Sequence, residues 1–136
     1  MKSHDFLSNN NQYFSEADQK VFCWEKGYQL FAYQRMYTLS NNVDYLHSAM
    51  EVFQNNLLKK LIDGNASYRQ DLLVKKVDVL YLLGVHYFSI DRQAAVDYLL
   101  SAKQIIIKFP KRSLDTHLLD LMCKIEAYVQ NNAYAI

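Results

Sequence analysis

From Ser15 onward, apolar residues recur in steps of three and four, the spacing that lines one face of an α-helix, and five such runs follow one another along the chain. The first carries Val21, Trp24, Tyr28 and Phe31. Ser15 is a good N-cap for it, Glu16 and Asp18 suit the positive end of the helix dipole, and the run ends near Tyr37, ahead of a Ser40-Asn41-Asn42 turn. The second carries Leu46, Ala49, Met50, Phe53, Leu57 and Leu61 and stops at Asp63-Gly64-Asn65, where glycine takes a left-handed C′ position easily. The third follows Ser67 with Leu73, Val77, Leu80, Gly84, Tyr87 and Phe88, and Leu72, Val79, Leu82 and Leu83 widen its stripe. A stripe that broad predicts burial on more than one side.

Asp91 is placed to cap the fourth helix, whose inner face is Ala95, Leu99, Ala102 and Ile106. Pro110 closes it, because a residue before proline avoids the α region. Ser113 is placed to cap the fifth, with Leu114, Leu118, Leu121, Ile125 and Tyr128. Ile105-Ile106-Ile107 would also suit a buried strand, but its flanks keep helical spacing and lack a turn signal on the N-terminal side. The fold expected is all-α: about five helices in one domain over residues 15–131, with a polar, mobile tail at 1–14 and a frayed end at 132–136.

The chain also repeats itself. Val43-Asp44-Tyr45-Leu46-His47-Ser48-Ala49 matches Val96-Asp97-Tyr98-Leu99-Leu100-Ser101-Ala102 at six of seven positions. The same offset lays Tyr28 on Tyr81 and Leu30 on Leu83, so helices one and two correspond to helices three and four. A period of roughly 50 residues signals stacked supersecondary units.

Composition narrows the function. Fifteen basic and fourteen acidic residues leave a net charge of +1, with no basic excess to attract nucleic acid or an anionic membrane. Lys59-Lys60, Lys75-Lys76 and Lys111-Arg112 read as solvated faces. No apolar run approaches the roughly 20 residues that span a bilayer, and the first ten residues have no apolar secretory core, so a cytoplasmic protein is expected. The two cysteines, Cys23 and Cys123, lie inside helical patterns and read as buried thiols in a reducing compartment.

His4, His47, His86 and His117 form no ligand pair at helical spacing, and no cysteine stands near one of them, so neither a metal nor another cofactor is expected. Gly27, Gly64 and Gly84 are isolated rather than gathered in a phosphate loop. Asp91, Asp97 and Asp115 suit helix starts better than acid–base chemistry. No catalytic set emerges, and an enzyme is not expected.

The second repeat unit resembles a tetratricopeptide repeat. Leu80-x-x-Leu83-Gly84-x-x-Tyr87 follows that family's W-x-x-L-G-x-x-Y spacing with leucine in place of tryptophan, and Ala95-x-x-x-Leu99 follows its A-x-x-x-F. The turn between the two helices is one residue short, and Pro110 comes late. In the first unit Phe31 stands where glycine would be, and Asn42 where alanine would be. The resemblance implies two stacked helical hairpins, with the fifth helix capping one end and a concave groove to which Tyr81, His86 and Tyr87 would contribute.

Terminal repeats usually carry a polar outer face, yet the first helix holds Trp24, Tyr28, Phe31, Tyr33 and Tyr37, an edge that either the tail at 1–14 or a partner is expected to cover. Eleven tyrosines in the chain fit a contact surface of large area with polar tips. Small chains of this kind resemble the tetratricopeptide-like chaperones of type III secretion, which implies holding an aggregation-prone secretion subunit or translocator in a helical groove. The expected partner is thus a protein, as a helical or extended segment, with a homodimer through the first helix as a further arrangement. The other expectations are a regulatory adaptor or inhibitor that sequesters a protein and, behind it, a nucleic-acid-binding helical domain.

Overall fold

A computed structural model describes residues 15–63 and 69–134. The tail at 1–14, the Gly64 stop and the Ser67 start lie outside the described residues. Those described form six α-helices and one 3-10 turn, with no strand among them. The architecture is all-α. The chain divides into two compact units, the first ending at Leu73 and the second beginning at Val74.

In the first unit, α1 (Glu16–Ser40) starts where its cap residue stands: the Asp18 N–H donates to Ser15 Oγ at 3.1 Å. It runs three residues past Tyr37 because Asn41 adopts a left-handed conformation (φ 58°) and donates its N–H to the Tyr37 carbonyl at 2.7 Å. Asparagine tolerates that conformation better than most residues. Asn42 Oδ1 then accepts the Asp44 N–H at 3.0 Å and leads into α2 (Asp44–Val52), which packs on α1.

The single second helix expected from the sequence is in fact two. After Phe53 the chain turns, and Asn55 Oδ1 accepts the Leu58 N–H at 3.0 Å, capping α3 (Asn56–Asp63). An asparagine side chain offers the backbone this alternative to continuing a helix. The turn shifts the inward register by one residue. Leu46, Ala49, Phe53 and Leu58 are buried, whereas Leu57 and Leu61 are half-buried.

The second unit holds most of α4 (Arg69–Tyr87) together with α5 (Arg92–Ile107) and α6 (Thr116–Tyr134). Asp91 caps α5 as expected, Oδ1 accepting the Ala94 N–H at 3.2 Å. Ala95, Leu99, Ala102 and Ile106 are wholly buried. Ile105-Ile106-Ile107 is helical, and Ile107 points outward. Pro110 opens the 3-10 turn Lys111–Ser113 instead of ending α5 directly. The cap of α6 is Asp115, whose Oδ1 accepts the Leu118 N–H at 2.9 Å, not Ser113, which closes the 3-10 turn.

Two contacts tie α6 to α4, His117 Nε2 and Asp78 Oδ1 at 2.6 Å and the Tyr128 ring edge-on to Tyr81 at 6.4 Å, and Tyr128 also takes Phe88, just past α4, edge-on at 4.8 Å. Lys103 and Glu126 join α5 to α6 at 3.5 Å.

The repeat is visible in burial. Leu30 and Leu83, Leu46 and Leu99, and Ala49 and Ala102 are related by the same offset, and all six are wholly buried. In the second unit the reason for Gly84 is explicit. A Cβ there would lie 2.5 Å from Leu99 Cγ and 3.3 Å from the Ala95 carbonyl oxygen. Gly84, Ala95 and Leu99 therefore belong to one close approach of α4 and α5.

The cysteines differ. Cys23 is buried, and burial pushes its thiol up from 9.0 to about 11. Cys123, expected to be buried, is exposed on α6. A thiol-disulfide exchange titration of the native protein near pH 8 should therefore find one fast thiol, Cys123, and a second only on unfolding, because the thiolate is the reactive species. Two fast thiols in the native state would contradict this burial.

Candidate docking surface

Helix α1 carries apolar residues on two faces. One turns inward and buries Cys23 and Leu30, with Tyr33 and Tyr37 half-buried beside them. Tyr33 and Tyr37, grouped with the exposed aromatics on sequence grounds, thus belong to the inner side. The other face is the run the sequence shows most clearly. Val21, Trp24, Tyr28 and Phe31 are 51%, 56%, 74% and 60% exposed, so they contribute little to the core. Farther along the helix, Met36 and Leu39 are also exposed. The Lys20 ammonium sits 5.2 Å from the Trp24 ring centroid, which leaves the rest of the indole uncovered.

Trp24, Tyr28 and Phe31 are brought together because steps of four and three residues keep a side chain on one helical face. Tyr81, His86 and Tyr87 are not gathered into one face. Tyr81 meets Tyr128, whereas Tyr87 stacks on Tyr98 at 5.9 Å and 24° and takes His86 edge-on at 5.2 Å. All three are half-buried.

Burial, then the neighbouring Tyr128, pushes the Tyr81 phenol up, with Lys124 partly opposing. Burial and Tyr87 push up that of Tyr98. These phenols stay neutral at physiological pH and act as packed rings with polar tips.

Sequence reasoning missed the flanks of the outer face of α1. Ala17, Arg35 and Thr38 are exposed and continue the Val21–Phe31 stripe at the same four-three alternation. That alternation was the signal that could have found them. No group of three or more metal-binding side chains occurs among the described residues, and no helix there is long and apolar enough to cross a membrane. What the outer face offers chemically is apolar area with hydrogen-bonding tips, the makings of contact rather than of reaction.

No family model matches this chain. No curated protein and no solved structure matches it.

Proposed function

We propose that this chain is a non-catalytic protein-binding module that docks a helix of another chain on the outer face of α1. The observation that carries the reading is the Trp24-Tyr28-Phe31 stripe, more than half exposed among the described residues, on a helix whose opposite face already serves the core. Monomers rarely leave a contiguous apolar patch of more than a few hundred Å² in water. The partner suited to a straight apolar stripe is an amphipathic helix laid along it.

The finer proposal is a cytoplasmic holding chaperone of the tetratricopeptide-like, type III secretion kind. Its support is the Leu80–Ala102 motif, in which Gly84 meets Leu99 and the Ala95 carbonyl at close range and Ala95 and Ala102 are wholly buried. Tyr81, His86 and Tyr87 are kept as candidate secondary contacts, since each retains some exposed surface.

The test is co-purification in mild salt, comparing the wild-type chain with Tyr28→Arg and identifying the bound species by mass spectrometry. A stoichiometric helical secretion subunit, lost in the variant, is the expected result. A regulator or enzyme lost in the same way would replace the chaperone with an adaptor. Nucleic acid retained in a salt-dependent manner would overturn the docking reading.

A further inference from the structure

We infer that the outer face of α1 is a coiled-coil seam that pairs, antiparallel, with α1 of a second copy of this chain; this rests on the reading of α1 as a docking helix. Ala17, Val21, Trp24, Tyr28, Phe31, Arg35 and Thr38 are spaced four, three, four, three, four, three, the a/d pattern of a heptad repeat. All seven are exposed. The seam runs for about 32 Å along the helix, a length that the same helix in another copy matches by construction.

Charge selects the direction. With two α1 helices parallel and in register, Arg35 would face Arg35 within the seam, and like charges placed opposite each other are disfavoured. In the antiparallel arrangement that layers Tyr28 on Phe31 of the second copy, Trp24 layers on Arg35 and Val21 on Thr38, each twice by symmetry. Glu25, beside Trp24, then flanks Arg35 of the second copy, forming two equivalent opposite-charge pairs. Asp18 and Lys20 fall opposite the uncharged stretch around Leu39–Asn41, so no like charges meet.

Area is sufficient. An aromatic side chain presents ~150–250 Å², so three that are more than half exposed offer roughly 350 Å² per copy. A pair of copies, with Val21 and Leu39 added, presents on the order of 1,000 Å², the lower limit for a specific interface.

The experiment is light scattering on the full-length protein across a wide concentration range, with circular dichroism as a control for folding. A mass twice the 16.0 kDa of one chain is expected for the wild type, and a monomer with unchanged helicity for Tyr28→Arg. Glu25→Arg alone and Arg35→Glu alone should each raise the dimer dissociation constant by roughly tenfold, and the double variant, which exchanges the charges across the pair, should recover most of that loss.

A wild-type monomer at every concentration would overturn self-pairing while leaving docking of a different helix untouched, because Tyr28→Arg reads that separately. A dimer indifferent to Tyr28→Arg would place the interface elsewhere. Equal loss without recovery in the double variant would overturn the antiparallel register.

Discussion

Gly84→Ala is expected to destabilise the second unit even though alanine is the better helix former. The propensity gain is about 1 kcal/mol. Against it, the new Cβ would sit 2.5 Å from Leu99 Cγ and 2.6 Å from its Cδ2. Leu99 is wholly buried, so its side chain must move against packed neighbours, and the same Cβ would also lie 3.3 Å from the rigid Ala95 carbonyl oxygen. Overpacking of this kind typically costs ~1–3 kcal/mol, which outweighs propensity and makes the net sign unfavourable. Gly84→Val, with two further methyl groups, should cost more.

The control is Leu99→Ala. Alone it should lose ~2–5 kcal/mol by opening a cavity. Combined with Gly84→Ala it should lose less than the two single effects added, because the alanine Cβ enters the vacated space. Residues in direct contact couple in this way. Thermal or urea unfolding of the four proteins would measure it, and strict additivity would mean that Gly84 and Leu99 do not share the space described.

The same pair shows what could be read before any coordinates. Gly84, Ala95 and Leu99 stood out because small residues at repeat spacing make sense only where backbones approach, and that geometry is local enough to be encoded in a few positions. Ser15 and Asp91 were legible for a similar reason, since a cap is a contact between residues three apart. Legibility failed where two local solutions compete. Asn55 falls inside a stripe that keeps helical spacing from Leu46 to Leu61, yet its side chain caps a new helix, and Leu58 rather than Leu57 enters the core. Ser113 and Asp115 both offered caps, and the 3-10 turn after Pro110 consumed the first. Cys123 fell on the exposed side of α6, which a helical pattern alone does not decide for a small, weakly polar residue. On α1 the clearest apolar stripe is the outer one. Periodicity reports that a face is apolar and is silent on whether the covering surface comes from the same chain.

That ambiguity yields the sharpest contrast available in this protein, between neighbouring positions on one helix. Leu30→Ala should cost ~2–5 kcal/mol of folding stability, since Leu30 is wholly buried against the core. Phe31→Ala, one residue on, should change stability by less than ~0.5 kcal/mol, as surface substitutions away from special features do. Its ring is 60% exposed, and alanine raises helix propensity there. Docking should show the reverse order. If the outer face is the contact, Trp24→Ala, Tyr28→Ala and Phe31→Ala should each weaken binding of the docked helix by about 2 kcal/mol, near thirtyfold, as central aromatic anchors do. Because anchors in one cluster are not additive, the triple variant should bind nothing measurable while remaining as helical as the wild type and, at concentrations where the wild type is monomeric, as stable. Calorimetric unfolding and a titration against the docked chain would separate the two readouts. A triple variant that unfolds would return the stripe to the core, and one that binds normally would remove the outer face of α1 from the interface.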